Sequence, residues 1–497
     1  MPRFMKVHPY ALALAALAFP SFLKSGEPDL RADPLGVQPE QFAPGYSNGL
    51  GNIPKRKTWE GPLRMEDAIN LALAQNLDIL KAIREIERAQ GSVVSARAAA
   101  LPHLALNSRY AYTDPELIVA GARAFTQSNS WNVDFTVTQN IYSGGRVSAS
   151  IAEKKFLKSA AYFTLRDTID KVIGQVRQQF SDVLVKKALI EVSNESVELA
   201  SQQLKDAQNR FNAGTVPRFN VLRAEVEVAS VRPQLIRAKN EHLIAQLQLA
   251  KTLALEAAVT GKPPFECAGE LDISERSLDL ANALALARAR RPSLKALREQ
   301  ILAEKEAIKQ ANAGFKPQID LSGGYRFQNN PATLHLDEHM EGYFLGVTGS
   351  WKIFDSFETM GLVAQAKAKF RSATLAYEDS VRQVELDVQK SFADLTQYRE
   401  TIESQQKNVQ QALEALRLAQ ERLSAGAGTQ LEVLDARVAL TRARTTELQA
   451  RGEYVRSLAE FDRATATETV YQEEFNDPLA KLENKVLKRD YSFLFRP

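Results

Sequence analysis

From Trp131 to Ile141 apolar and polar residues alternate. Trp131, Val133, Phe135, Val137 and Ile141 fall on one side, and Asn132, Asp134, Thr136, Thr138 and Asn140 on the other. A period of two is that of a β-strand with one apolar and one wet face. Leu104, Leu106, Tyr110 and Tyr112 repeat the pattern earlier in the chain; Ile319, Leu321, Tyr325 and Phe327, and then Tyr343, Leu345, Val347, Trp351 and Ile353, repeat it later. The spacing predicts strands over about 103–113, 130–142, 318–328 and 342–354.

Around these strands the period is helical. Ala68, Leu71, Ala72, Ile79, Ile83 and Ile86 predict a helix from about Met65 to Ala100, ended by Pro102. After Gly144-Gly145 a much longer helix is predicted, from about Val147 to Asn212. This stretch has no proline, and Ile169, Ile173, Val176, Phe180 and Val183 step by three and four. At 1.5 Å per residue it would run roughly 100 Å, longer than any globular core requires. A second long helix is predicted to return to about Leu255.

The reversal between the two long helices has a recognisable chemistry, and it occurs twice: Arg210 to Ala224 and Arg422 to Ala436. Gly214 and Gly426 suit the left-handed residue that closes a helix, where a Cβ would clash. Pro217 suits the first turn of the following helix, and Thr429 with Glu432 has capping-box spacing.

The whole plan is duplicated. Pro102 and Tyr110 recur as Pro317 and Tyr325 at an offset of 215; Phe180, Arg210 and Leu222 recur as Phe392, Arg422 and Leu434 at an offset of 212. Each repeat reads short helix, two strands, long helix, hairpin, long helix. The domain organisation is therefore a signal peptide at 1–23, an irregular segment at 24–62, a first repeat at 63–259, a linker at 260–277, a second repeat at 278–467 and a tail at 468–497.

Composition narrows the setting. A net charge of +3 over 497 residues gives no case for nucleic acid. A single cysteine, Cys267, excludes an intramolecular disulfide and a cysteine-rich metal site. Arg3 and Lys6 precede an apolar run from Tyr10 to Phe19, with Ala16-Leu17-Ala18 as a cleavage signal, which outlines a secretory signal peptide. No later stretch approaches the ~20 apolar residues of a membrane-spanning helix, so any membrane passage must use the strands. Tyr110, Tyr112, Trp131, Tyr142, Tyr325, Tyr343 and Trp351 edge those strands, as aromatic rings do at the two interfaces of an outer-membrane barrel. Four strands cannot close a barrel, and open edges in lipid leave backbone groups unpaired, so such a chain needs copies of itself. His335-Leu336-Asp337-Glu338-His339 lacks the order of a metalloprotease motif, and no nucleophile or phosphate-loop motif is present. No residue set proposes catalysis, a cofactor or a metal site.

The duplication, the placement of the strand pairs and the two hairpin sequences, Arg422 to Ala436 most specifically, resemble the TolC-like outer-membrane efflux channels over about Leu63 to Thr467. The resemblance implies a mainly α fold with a β-barrel portion. Three protomers would share a 12-stranded barrel in outer-membrane lipid and extend an α-helical barrel across the periplasm. It also implies a passive duct for efflux or type I secretion, meeting a periplasmic adaptor (membrane fusion) protein and an inner-membrane pump of RND or ABC type. By the same resemblance Glu432 and Asp435 match an acidic pair ringing the periplasmic entrance, and Ala213, Gly214, Thr215, Ala425, Gly426 and Ala427 the adaptor-contact tips. The arginine that latches the closed state in well-known members is replaced here by Gly428, and Arg218 is the candidate substitute. The competing reading is a coiled-coil scaffold without a channel, which has no use for apolar strands edged with aromatics.

Overall fold

Lacking proline and carrying apolar residues at three- and four-residue steps, residues 146–212 fold as one unbroken helix. The computed structural model describes residues 59, 61–117, 128–255, 265–269, 276, 279–330 and 338–467, all within one compact unit, Lys57–Asp477. The expected signal peptide, the tail, most of segment 24–62 and of linker 260–277, and residues 335–337 of the histidine-containing loop lie outside the described residues.

The first repeat runs β1 (Pro62–Leu63), α1 (Met65–Gln75), α2 (Leu77–Ala98), β2 (His103–Tyr112), β3 (Asn129–Tyr142), α3 (Arg146–Asn212) and α4 (Arg218–Thr252). In the linker comes β4 (Glu266–Cys267), and the second repeat runs α5 (Leu280–Arg290), α6 (Pro292–Asn312), β5 (Gln318–Asn329), β6 (His339–Ser350), α7 (Glu358–Ser424) and α8 (Gln430–Thr465). Helices α3 and α7 each have 67 residues and start at matching positions of the duplication.

Three expectations are corrected. The helix expected over 65–100 is two helices broken at Asn76. Asn76 caps α2 by accepting from the Asp78 and Ile79 amides, while its Nδ2 donates to the Thr252 carbonyl at 2.8 Å. The break thus gives the end of α4 a hydrogen-bond partner. Its counterpart in the second repeat is Arg291, followed by Pro292, and Arg291 donates to Asp387 at 3.0 Å. Secondly, the fourth strand ends at Ser350, which leaves Trp351 and Ile353 beyond it. Thirdly, a β-bulge between Asn140 and Tyr142 turns the strand by one residue, so Tyr142, not Ile141, lies opposite Ile319 on the apolar face.

The sheet is antiparallel in the order β2-β3-β5-β6, so the two repeats join through β3 and β5, and β2 and β6 are its free edges. The helices follow the same order: α2 packs on α3, α3 on α6, and α6 on α7. The core is a set of layers between helices. One joins Val388, Leu395 and Ile402 of α7 to Tyr454 and Phe461 of α8 and to Ala283 and Ala287 of α5. Where α8 crosses α3, a Cβ on Gly452 would stand 2.7 Å from a Val185 methyl, so the absent side chain sets how closely the helices approach. Cys267 is buried, and burial pushes its thiol up to about 12, which keeps it protonated and unreactive.

Candidate functional site

Both hairpins close by the same hydrogen bonds. In the first, the Thr215 amide donates to Arg210 O and the Gly214 amide to Phe211 O, each at 2.9 Å; in the second, Ala427 donates to Arg422 O at 2.9 Å and Gly426 to Leu423 O at 3.2 Å. This is the Schellman arrangement, and Gly214 (φ +72°) and Gly426 (φ +75°) occupy its left-handed position. Ala213, Thr215, Ala425 and Ala427 complete two tips of small, exposed residues. Pro217 sits one position earlier than expected, at the N-cap of α4. Thr429 caps α8 by accepting from the Glu432 amide at 3.3 Å.

Among the described residues, Glu432 does not complete the reciprocal half of the capping box. Its carboxylate lies 3.8 Å from the Arg422 guanidinium, which also donates to Ala427 O at 3.3 Å. Asp435 stands three residues on, exposed and near the same helix face. Gly428 faces the backbone of the preceding helix: a Cβ there would lie 3.0 Å from both Arg422 Cβ and Leu423 N. A side chain at this position would press on that backbone, which would have to give by a few tenths of an ångström. Arg218 is exposed and ion-pairs with none of the described residues.

Sequence reasoning passed over Arg437. Its side chain is 3 % exposed, donates to Gln203 of α3 at 3.0 Å and pairs with Glu227 of α4. A second contact follows one turn on, where the Ser196 and Thr441 hydroxyls lie 3.1 Å apart, and then Arg444 pairs with Glu195. The second hairpin is thus pinned to the first beside its tip. The signal was available, because Arg437 falls between Val433 and Leu440, two core residues at helical spacing.

At the opposite end of the helices lies the sheet. Leu104, Leu106, Tyr110, Val133, Phe135, Tyr343, Leu345 and Val347 present one exposed apolar face, with Tyr343 at 90 % and Leu345 at 80 %. The other face is polar: Asp134 accepts from Arg326 at 2.7 Å and Asp320 from Asn140 at 2.7 Å. The register puts Tyr110 opposite Trp131 and Tyr325 opposite Tyr343, at the end of the sheet away from the helices, with Tyr112 beside them. Tyr142 and Trp351 lie at the end where the helices begin. The aromatic residues therefore form two bands with aliphatic residues between them. No helix among the described residues is long and apolar enough to cross a membrane.

A model of the family described as "Outer membrane efflux protein" matches residues 68–255 and 283–467. Over 415 residues the chain is 24% identical to the pyoverdine export outer membrane protein OpmQ of Pseudomonas aeruginosa, covering 80% of this chain and 84% of that one. Over 407 residues it is 24% identical to the outer membrane protein TolC of Escherichia coli, covering 77% and 78%. Among solved structures, the Campylobacter jejuni CmeC outer membrane channel superposes with a TM-score of 0.75 at 17% identity, over 86% of this chain and 90% of that one.

Proposed function

The chain belongs to the outer membrane efflux protein family, and from that premise we propose that it is the outer-membrane duct of an efflux or type I secretion machine, working as a trimer. One observation carries the oligomeric part of this reading. Sheet and helices run in the same order, and both are left open at the same two places. Inside the chain, β3 meets β5 and α3 meets α6 where one repeat ends and the next begins. Repeating that junction between chains puts β6 against β2, and α7 against α2, of the next copy. The contact is head-to-tail and generates a ring. Closure is required because an unpaired strand edge in lipid costs several kcal/mol per backbone group. Three copies give twelve strands with the apolar face outward and Asp134 and Arg326 lining the lumen. The scaffold reading leaves the exposed face of Tyr343, Leu345 and Val347 without a purpose.

The tips form the periplasmic end. Glu432 and Asp435 of three copies place six carboxylates around the mouth, which favours cations. Ala213, Gly214, Thr215, Ala425, Gly426 and Ala427 offer a periplasmic adaptor a surface without bulky side chains, and the adaptor links the duct to an inner-membrane pump. Arg218, which ion-pairs with none of the described residues, would reach a neighbouring hairpin. The duct is passive and carries out no catalysis.

Purified full-length protein tests this. The expected outcome is a trimer that dissociates only on heating and gives discrete conductance steps in planar bilayers; a soluble, monomeric rod with no conductance overturns the reading. Glu432→Gln with Asp435→Asn is expected to move the reversal potential in a KCl gradient toward weaker cation selectivity, and an unchanged potential removes the ring from the mechanism.

A further inference from the structure

The two repeats differ where a strand passes into its long helix. In the first repeat the passage is Ser143-Gly144-Gly145, with both glycines left-handed at φ +67° and +91°. Ser143 caps α3 by accepting from the Val147 amide at 3.3 Å. In the second repeat the equivalent residues are Asp355-Ser356-Phe357, and Asp355 caps α7 by accepting from the Thr359 amide at 2.9 Å. Ser356 and Phe357 keep the left-handed backbone, at φ +53° and +68°. A phenylalanine here is strained where the duplication shows that glycine serves.

The ring stays largely in the open. Phe357 is 66 % exposed and meets Phe354 edge to face at 5.8 Å, while Ile353 is 85 % exposed and Trp351 and Met360 are exposed too. The Trp351 indole N–H donates to the Phe315 carbonyl at 3.1 Å, and Lys352, largely exposed, reaches Glu358 at 3.4 Å. The group forms an apolar knuckle that carries Lys352 and the capping carboxylate of Asp355, and it follows directly on the end of β6.

The repeat junction inside the chain indicates what a neighbouring copy would cover. At Gly144 a Cβ would meet Lys316 Cβ at 2.8 Å, so the second repeat sits on that position. At Gly145, the counterpart of Phe357, a Cβ would meet nothing nearer than Ser148 Oγ at 4.0 Å. By quasi-equivalence a neighbour covers position 356 and leaves position 357 open.

We propose that residues 351–357 are a membrane foot: Ile353, Phe354 and Phe357 enter the boundary between headgroups and acyl chains of the phospholipid leaflet nearest the helices, with Lys352 at headgroup level. The foot fixes the height and angle at which α7 leaves the membrane. It rests on the barrel reading above, because it requires the face of β6 to contact lipid.

The test uses the full-length protein in phosphatidylethanolamine–phosphatidylglycerol vesicles, with a single environment-sensitive fluorophore on Phe357→Cys or on Leu345→Cys. Buried Cys267 does not compete for the label. At 357 the expected result is blue-shifted emission that loses most of its intensity to phospholipids carrying a nitroxide near the headgroup. Emission as in water, quenched by iodide, overturns the foot, and so does blue-shifted emission indifferent to the labelled lipids, which marks burial against a second copy. Lipid quenching at 345 without quenching at 357 overturns the foot alone. Quenching at neither position overturns the barrel reading together with it.

Discussion

Two glycines show how differently the same residue can act. Gly174 lies inside α3, where an added Cβ would meet only Arg463 Cδ at 3.7 Å, an ordinary contact. Gly174→Ala is expected to stabilise the protein by about 0.5–1 kcal/mol, the helix-propensity gain. At Gly452 the same substitution meets the Val185 methyl at 2.7 Å, and a β-branched side chain on a helix has little freedom to move aside. Gly452→Ala is expected to cost about 1–3 kcal/mol, as overpacking does. Thermal unfolding of the two variants in detergent should shift in opposite directions. Neither effect was legible in the sequence, because what a Cβ would meet at either position belongs to another helix. The tip glycines Gly214 and Gly426 were legible, because a left-handed closing position is a local demand that flanking residues announce. His242 adds a pH dependence. Burial holds its imidazole below the usual range, Lys187 adds to this and Glu266 opposes it. A depressed folded value means that the unfolded chain takes the proton first. The stabilisation is therefore complete above the unfolded pKa of ~6.5 and is lost as pH falls through it. His242→Gln should flatten the fall in melting temperature between about pH 7.5 and 5.

Among elements, the hairpin tips depend on partners that the sequence separates widely. Arg437 finds Gln203 and Glu227, 234 and 210 positions away. No local pattern discloses such pairings; only an arginine standing in a core row hints that partners exist. Likewise the breaks at Asn76 and Arg291 answer to Thr252 and Asp387, while the apolar spacing on either side continues as if the helix were whole. Truncating Arg437 to Ala leaves half-buried Glu227 without this partner and is expected to cost about 1.5–3 kcal/mol. Because the lost tie joins the two hairpins beside the mouth, the variant should also show raised leak conductance and faster proteolysis near the tips. Gly428→Arg would restore an arginine where resembled channels carry their latch. It is expected to disturb the tip instead, because its Cβ meets the Arg422–Leu423 backbone at 3.0 Å. Proteolytic cleavage within 422–429 should accelerate.

For the whole molecule, the decisive question is whether the open edges of one chain are the joints of a ring. Proline distinguishes the two cases. Just past the paired ends of β2 and β3 the Thr113 amide donates to Ser128 O, which makes 113 and 128 a hydrogen-bonded pair of the same ladder. Bonded and non-bonded pairs alternate along an antiparallel ladder, so the amide of Ser108, five residues earlier, points to the free edge of β2. Within a single chain that amide has no sheet partner to lose, and proline is tolerated on an edge strand. Ser108→Pro should therefore leave the helical core and its unfolding behaviour intact. If β2 pairs with β6 of the next copy, the same substitution deletes a ladder hydrogen bond in lipid and sets the pyrrolidine ring against the neighbouring strand. The expected outcome is an accumulation of helical monomer, loss of the heat-modifiable trimer and loss of conductance. Val137→Pro, on the doubly paired strand β3, is the contrasting control and should damage the sheet of the monomer itself. A Ser108→Pro protein that still forms conducting trimers would show that β2 is not a joint, and that the ring closes through contacts the repeat junction does not foretell.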